Sequence, residues 1–201
     1  MGFFNKKKLL ILVAAFLLSV ESNISASESK VTSPTKEYPR QIKIYKSKRK
    51  LYLFNGNVVT DSAKCSFGFG EYFHPGSKER SGDNKTPEGK YFVTEKHPSS
   101  KYFYFIGISY PNSEDAIRGL KKVLITQKQY SQIATAESNH TIPLQNTSLG
   151  GTIGIHGEKK LGPFSIGTQI NWTRGCISLS NRDIARIYKF VSIGDEVEII
   201  K

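Results

Sequence analysis

A cysteine and a histidine in the last quarter of the chain are the side chains best suited to nucleophilic chemistry. Cys176 follows Gly175, and a glycine lets the backbone turn tightly and aim successive N–H groups at one point, as an oxyanion hole requires. A thiol attacks only as the thiolate, and its unperturbed pKa of about 8.5 means that it needs a base. His156, between Ile155 and Gly157 at the end of a predicted strand, can supply one.

Other interpretations of these residue types stay open. Two cysteines in an exported protein are also typical of a disulfide, here Cys65 to Cys176, although Cys65 is equally interpreted as a buried strand residue. His74, His97 and His140 lie in loop or polar segments and are interpreted as surface or hydrogen-bonded histidines. A lone Cys and His without spaced carboxylates make a weak metal site, so we predict neither a metal nor a cofactor.

The N-terminus has the pattern of an export signal. Lys6–Lys8 precede the apolar run Leu9–Val20, which is shorter than the roughly 20 residues that a spanning helix needs. We interpret residues 1–27 as a signal peptide or, alternatively, as an uncleaved leader that anchors the protein to the inner membrane. A polar linker over 28–41 and a single domain over 42–201 follow.

The charge of the chain favours polyanionic partners. The formal net charge is +12, and it stays strongly positive without residues 1–27, which hold three lysines and one glutamate. A basic exported protein is attracted to anionic lipid or to an acidic cell wall. The sequence has no helix-turn-helix, zinc-finger or RNP pattern, so we predict no nucleic-acid partner. It carries no signal for the oligomeric state.

Hydrophobic patterning predicts a mainly β domain with a few short helices. Asn55-Gly56 between two apolar runs is the strongest hairpin signal. A helix after the Cys176 loop is predicted over Ile184–Val191, with Asp183 as its cap and Gly194 as its stop. The remaining predicted elements are strands at Ile42–Tyr45, Leu51–Phe54, from Val58, Cys65–Phe69, Lys90–Thr94, Tyr102–Ile108, Thr152–His156 and Glu196–Ile200, helices at Glu114–Leu120 and Gln127–Glu137, and a loop over Glu71–Gly89.

Two blocks of sequence carry a shared pattern. His156-Gly157 is followed, after a loop, by Thr173-Arg174-Gly175-Cys176-Ile177 and then Asn181. Upstream, Gly82–Tyr91 contains Gly-Asp, then Thr-Pro, then Gly and Tyr. In this order the blocks resemble the YkuD-type L,D-transpeptidases, whose signature is a His, an intervening stretch, Ser/Thr-His-Gly-Cys and a nearby Asn, with a Gly-Asp-x-x-Thr-Pro-x-Gly-x-Tyr/Phe segment before them. The resemblance spans about residues 42 to 201.

The pattern departs from the family at two positions. Arg174 stands where many members have a second histidine, and Ser178 stands where many have arginine. This form looks more like the YafK-like branch of Gram-negative bacteria, part of which is linked to hydrolysis of the bond between a lipoprotein and peptidoglycan. The resemblance therefore leaves transfer and hydrolysis open, and it implies a periplasmic location.

The resemblance implies a β-sandwich or barrel-like fold and a reaction. Cys176 would attack the carbonyl at the L-centre of the third residue of a peptidoglycan stem peptide, forming a thioester. An amine from another stem, or from a wall-linked lipoprotein, would then resolve it. His156 would be the base, with its other ring nitrogen held by the carbonyl of Gly157. The backbone N–H groups of Arg174, Gly175 and Cys176 are the candidate oxyanion-hole donors.

Three residues before Cys176 are candidates for substrate contact. Arg174 could hold a substrate carboxylate, lower the thiol pKa, or simply be a solvated loop residue. Trp172 could line the peptide groove or pack the loop, and Thr173 is placed with them by position only. A rival of another class is a non-catalytic wall-binding module that uses its basic surface alone.

Overall fold

The computed structural model describes residues 39–161 and 164–201. The predicted leader, 1–27, and most of the predicted linker, 28–41, lie outside these residues. The first strand begins at Arg40, two residues before the predicted start of the domain at Ile42. None of the helices in the described ranges is long and apolar enough to cross a membrane.

Ten strands, three α-helices and one 3₁₀ turn make up the described chain. The strands are β1 (Arg40–Tyr45), β2 (Lys50–Asn55), β3 (Val58–Lys64), β4 (Gly89–Ser99), β5 (Phe103–Ile108), β6 (Gly154–His156), β7 (Lys159–Leu161), β8 (Phe164–Ile166), β9 (Ile177–Ser178) and β10 (Glu196–Ile200), and the helices are α1 (Ser113–Lys121), α2 (Gln127–Ser138) and α3 (Asn181–Phe190), with the 3₁₀ turn at Phe69–Tyr72. The predicted mainly β class with short helices is confirmed.

Eight of the strands form one sheet, in the order β3-β2-β1-β10-β4-β5-β6-β9, while β7 and β8 form a separate hairpin. Strand β4 joins the two halves of the sheet: its first residues pair with β10, and its later residues pair with β5 after a register shift between Val93 and Glu95. Past the end of β3, Ser66 pairs with Ser178 of β9 through two backbone hydrogen bonds of 2.9 Å. The two ends of the sheet therefore meet, which gives the barrel-like closure that the resemblance implies.

Alternating apolar residues form the core. Ile42 and Ile44 of β1 and Leu51 and Leu53 of β2 are all buried, as period-2 patterning requires. They pack in one cluster with the apolar residues that flank the candidate site and those of α3, namely Ile155, Ile177, Leu179, Ile184 and Ile187. The core thus lies directly beneath the strands that carry the predicted catalytic residues.

Several predicted boundaries were wrong. Cys65–Phe69, predicted as a strand that breaks at Gly68 and Gly70, makes only two isolated bridges, and the 3₁₀ turn begins at Phe69. Helix α3 is capped by the Ser180 hydroxyl, which accepts the N–H of Asp183, so Asp183 lies in the first turn and is not the cap. The helix ends at Phe190, before Gly194, because Val191 is already extended.

Candidate active site

Neighbouring strands bring Cys176 and His156 together. Strands β6 and β9 are parallel and adjacent, with His156 in register with Ser178 and Ile155 with Ile177. Cys176 immediately precedes β9, and its half-buried thiol donates to the carbonyl of Thr152 just before β6, at 3.6 Å. Cys176 thus lies two positions before Ser178, the register partner of His156, on the strand next to the one that carries the ring.

The ring of His156 is held in one orientation. It is 2% exposed, its Nδ1 lies 2.7 Å from the carbonyl oxygen of Gly157, and Tyr102 stacks on it at 4.3 Å between ring centroids. A carbonyl only accepts, so Nδ1 carries the proton and Nε2 carries the lone pair. The N–H of Gly157 in turn donates to the carbonyl of Tyr102 at 3.0 Å. The backbone contact at Gly157 that the resemblance implied is therefore present.

Burial keeps both groups neutral at pH 7. Burial lowers the pKa of His156 to about 4. The hydrogen bond to Gly157 acts in the opposite direction, and the positive charge of Lys101 lowers the pKa further. Burial also raises the pKa of the Cys176 thiol to about 11, against the opposing effects of the Gly154 N–H and of Lys78. The resting site thus holds a thiol and a neutral imidazole, and the S–H must turn from the Thr152 carbonyl toward the ring before its proton can be transferred.

Thr173 and Gly175 shape the loop that carries Cys176. The Thr173 side chain is buried; its hydroxyl donates to the Cys176 carbonyl at 2.6 Å and accepts the N–H of Gly175 at 3.2 Å. Gly175 has φ of +132°, and a Cβ there would lie 2.8 Å from the carbonyl oxygen of Lys85. Thr173 therefore acts within the loop, and the N–H of Gly175 is already engaged, although sequence had suggested it for the oxyanion hole.

The segment Gly82–Tyr91 packs against the loop that carries Cys176. The buried Thr86 hydroxyl accepts the N–H of Gly68 at 3.0 Å, and the Thr86 N–H donates to Glu71 at 3.0 Å. Lys46 pairs with both Glu71 and Glu88 at 2.8 Å while nearly buried. Since Gly68 lies against Gly175, the two blocks that are distant in sequence form one packed unit.

Comparison with known proteins gives the chain a family. The model of the YkuD family, the L,D-transpeptidase catalytic domain, matches residues 39–199. The chain belongs to the YkuD family. YafK of Escherichia coli K12, named provisionally as an L,D-transpeptidase, is 33% identical over 129 residues, which cover 56% of this chain and 51% of YafK. The chain therefore spans about half the length of the curated relatives that it matches.

A solved structure agrees on the fold of this YkuD domain. Pgp2 of Campylobacter jejuni, a helical cell shape determining protein, superposes with a TM-score of 0.53 at 21% identity, over 82% of this chain and 48% of that one. At this identity the likeness concerns the fold alone. The overall fold of this domain is therefore shared with Pgp2.

A cavity of about 580 Å³ opens beside the loop of this YkuD domain. Arg174, which is exposed, and Lys78 both line it, together with Phe69, Asn84 and Ile153. The Lys78 ammonium pairs with Asp83 at 2.7 Å. Although burial opposes it, the hydrogen bond from Lys78 and those from nearby backbone N–H groups hold the pKa of Asp83 below its ordinary value. Because Asp83 compensates the charge of Lys78, the exposed Arg174 is the group in this lining that could pair with a carboxylate of a peptide.

Sequence reasoning missed Lys78 and Tyr102. Lys78 lies far from Cys176 in sequence and looked like an ordinary loop charge, yet it is 4% exposed and its charge partly opposes the rise of the Cys176 pKa that burial causes. Tyr102 was predicted only to begin a strand, yet it covers the His156 ring. The available signal for Lys78 was its position four residues before the Gly-Asp pair. Nothing in the sequence pointed to Tyr102 as a partner of His156.

Trp172 packs beside the His156 ring, and Cys65 lies in the core. Trp172 packs near the His156 and Tyr102 rings, at 5.6 Å and 6.3 Å, and its indole N–H is buried without a hydrogen-bond partner among the described residues. Cys65 is buried and free, and Cys176 is free as well, so the disulfide alternative does not apply.

In the ranges 39–161 and 164–201, no three His, Cys, Asp or Glu side chains lie together as a metal site would need.

The two pKa values predict the pH dependence of the reaction. We expect kcat/KM to fall below about pH 4, because protonated His156 cannot accept the thiol proton, and to stay level through neutral pH. Iodoacetamide alkylation of Cys176 should stay slow at pH 7 and accelerate steadily above pH 9. An alkylation midpoint below pH 7 would instead reveal a preformed thiolate–imidazolium pair.

Replacing Lys78 should slow alkylation of Cys176. In Lys78→Met the thiol loses the positive charge that lowers its pKa, so the alkylation rate at a fixed pH between 8 and 9 should drop several-fold. Arg174→Gln is the matched control, because the charge that opposes the rise of the Cys176 pKa is that of Lys78. A drop in Arg174→Gln with none in Lys78→Met would reverse the two assignments.

Gly175→Ala should damage the loop beyond the strain of a positive φ. Gly76 is the matched control, since its φ of +131° nearly equals that of Gly175 and a Cβ there would meet nothing within 4 Å. We expect Gly76→Ala to cost about 1 kcal/mol and Gly175→Ala about 2–4 kcal/mol of unfolding free energy. Denaturant unfolding measures both. Equal costs would show that contact with Lys85 contributes nothing.

Proposed function

We propose that this protein is a peptidoglycan L,D-transpeptidase that acts in biogenesis and remodelling of the cell wall. One observation carries the proposal: a neutral imidazole, fixed by the Gly157 carbonyl, lies on the strand next to the one that the free thiol of Cys176 precedes, and Arg174 of the same loop lines a cavity there. Membership of the YkuD family supplies the reaction class. The substrate is the stem peptide of peptidoglycan, and no cofactor takes part.

The proposed reaction proceeds through a thioester. The stem binds in the cavity with a carboxylate near Arg174, and the thiol turns toward His156. His156 Nε2 accepts the thiol proton while the sulfur attacks the carbonyl at the L-centre of the third stem residue. The tetrahedral oxyanion collapses, the C–N bond to D-alanine breaks, and the imidazolium gives its proton to the leaving amine. An acceptor amine then attacks the thioester and releases the thiol.

Backbone N–H groups of the loop stabilise the oxyanion in this scheme. The Gly175 N–H donates to Thr173, which leaves those of Arg174 and Cys176 as the proposed donors. The positive φ of Gly175 sets the direction of the peptide units between them. Losing one donor of this kind typically costs about 10²–10³ in rate.

Hydrolysis on the same scaffold is the second candidate. It is favoured by Arg174 and Ser178, the two positions at which the sequence resembles the YafK-like branch, part of which is linked to hydrolysis. In this alternative water resolves the thioester, and the bond cleaved lies within peptidoglycan or between peptidoglycan and a lipoprotein. Water and an amine compete for one intermediate, so the acceptor alone separates the two reactions.

Product analysis tests the proposal. The protein without residues 1–27 is incubated with muropeptides and, separately, with lipoprotein-linked wall, and the products are identified by mass. New 3–3 crosslinks or new wall–lipoprotein links are the expected result. Release of lipoprotein or D-alanine without new links would assign hydrolysis. Unchanged substrates in both incubations would contradict both reactions.

We also propose export to the periplasm, with residues 1–27 either removed or kept as a tether. A role in cell shape is proposed with it, because the proposed reaction changes the crosslinking of the wall. The remaining rival, a non-catalytic wall-binding module, predicts that wall binding is lost in high salt and that Cys176→Ala leaves every cellular function intact.

A further inference from the structure

Three exposed aromatic rings lie close together in sequence, and one of them lines the cavity at the Cys176 loop. Phe69, Tyr72 and Phe73 are 41%, 57% and 68% exposed, and Phe69 itself lines the cavity. A single exposed apolar side chain is ordinary, but three large aromatic side chains within five consecutive positions at the rim of a candidate site form a patch that calls for a ligand. We call these three residues the aromatic ridge.

The ridge is held in place by the loop that carries Cys176. The N–H of Phe69 donates to the Thr173 carbonyl at 2.9 Å, and the Tyr72 hydroxyl accepts the N–H of Asn171 at 2.8 Å. The N–H of Gly70 donates to the carbonyl of Asn84 at 3.0 Å. These bonds fix the backbone of the ridge and the ring of Tyr72, so the segment loses little conformational freedom when a ligand binds.

The geometry of the rings suits a sugar. Phe69 and Phe73 meet edge to face, with centroids 6.1 Å apart and planes 89° apart, so they form a corner with two apolar walls. A pyranose presents C–H groups on one face and hydroxyl or amide groups around its edge. Aromatic rings bury such an apolar face while the polar edge stays in water, and they supply large contact area at low entropic cost.

We propose that the aromatic ridge binds the glycan strand of the wall substrate, at the N-acetylated sugar that carries the stem peptide. The inference rests on the proposed function and adds to it a requirement for glycan-linked stems. Three residues separate the attacked carbonyl from that sugar, or about 10 Å of extended chain. A cavity of about 580 Å³ has this scale, so a stem bound beside Cys176 places its sugar at the cavity rim.

Kinetics on two substrates test the proposal. The wild type and Phe73→Ala are compared on a disaccharide-tetrapeptide and on the free tetrapeptide. We expect the ratio of kcat/KM between the two substrates to fall about tenfold in Phe73→Ala, through KM. Ile193→Ala, which alters an equally exposed apolar residue elsewhere (66%), is the control and should leave the ratio unchanged. A ratio unchanged in Phe73→Ala overturns the proposal.

A binding assay with an inactive variant tests sugar binding by the aromatic ridge independently of the reaction. Cys176→Ala protein is sedimented with glycan strands stripped of their peptides, with and without Phe73→Ala. Co-sedimentation that Phe73→Ala abolishes supports the ridge, even if no stem is turned over and the proposed function fails. Absence of binding overturns the ridge, even if the enzyme is active. Self-association of the wild type that Phe73→Ala removes would assign the ridge to contact between copies and overturn the proposal.

Discussion

Cys176→Ala should abolish turnover, with a loss of at least about 10⁴-fold in kcat, because every step of the proposed reaction passes through its sulfur. The fold should be kept, since the side chain is half-buried at the loop and belongs to no core cluster. Muropeptide turnover followed by mass measures the loss, and thermal unfolding checks the fold.

Cys65→Ala is the matched control for that experiment. Cys65 is buried in the core cluster, and burial raises the pKa of its thiol to about 12, so it is chemically inert at neutral pH. Its replacement should lower stability by about 1–2 kcal/mol through a small cavity while kcat stays within about twofold. Loss of activity in the folded Cys65→Ala protein, with turnover intact in Cys176→Ala, would show that Cys65 and not Cys176 is the nucleophile.

His156→Gln should lower kcat by about 10²–10⁴-fold, because the reaction loses the group that accepts the thiol proton and returns it to the leaving amine. The loss should shrink as the pH rises, since hydroxide then ionises the thiol without a base. A rate–pH profile that is level in the wild type and rises with pH in the variant is the expected signature.

His97→Gln is the control for the second prediction. His97 is exposed and contacts Phe105 rather than the site, so its rate and pH profile should match those of the wild type. If the rate of His156→Gln stayed low and level up to pH 10, proton transfer would not be the role of the ring, and a purely structural role would replace it.

Local patterns allowed much of the fold and the central pair to be predicted. The β1 to β3 hairpins follow from alternating apolar residues around Asn55-Gly56, and β10 follows from alternation in Glu196–Ile200. His156 and Cys176 could be named as candidates because both sit in short motifs next to glycines and because those motifs resemble the YkuD signature. What those motifs require physically, a tight turn and a fixed ring, is local in sequence.

The rest of the site depends on contacts between distant segments. Tyr102 reaches the His156 ring only because β5 pairs with β6, and no local pattern encodes that partnership. Lys78 approaches the thiol because the loop before β4 folds against the Cys176 loop. The hairpin of β7 and β8 and the two-residue β9 are too short to leave a periodic signal.

The cap of α3 shows how a correct helix can carry a wrong boundary. Asp183 and Ser180 are both good N-cap residues, and sequence alone gives no preference between them. The structure uses both: Ser180 caps the helix, and the Asp183 carboxylate accepts the Ser180 hydroxyl at 2.8 Å. Beginning the helix at Asn181 also lets Asn181 Oδ1 accept the N–H of Glu158, which follows His156-Gly157.

Trapping the covalent intermediate tests the central claim most directly. The protein is mixed with a tetrapeptide donor without an acceptor, quenched in acid within seconds, and measured by intact mass and peptide mapping. The account predicts a species heavier by the donor less D-alanine, with the added mass on the peptide that contains Cys176 and lost on treatment with hydroxylamine. Turnover of the donor without any adduct on Cys176, or with the adduct on another residue, would contradict it.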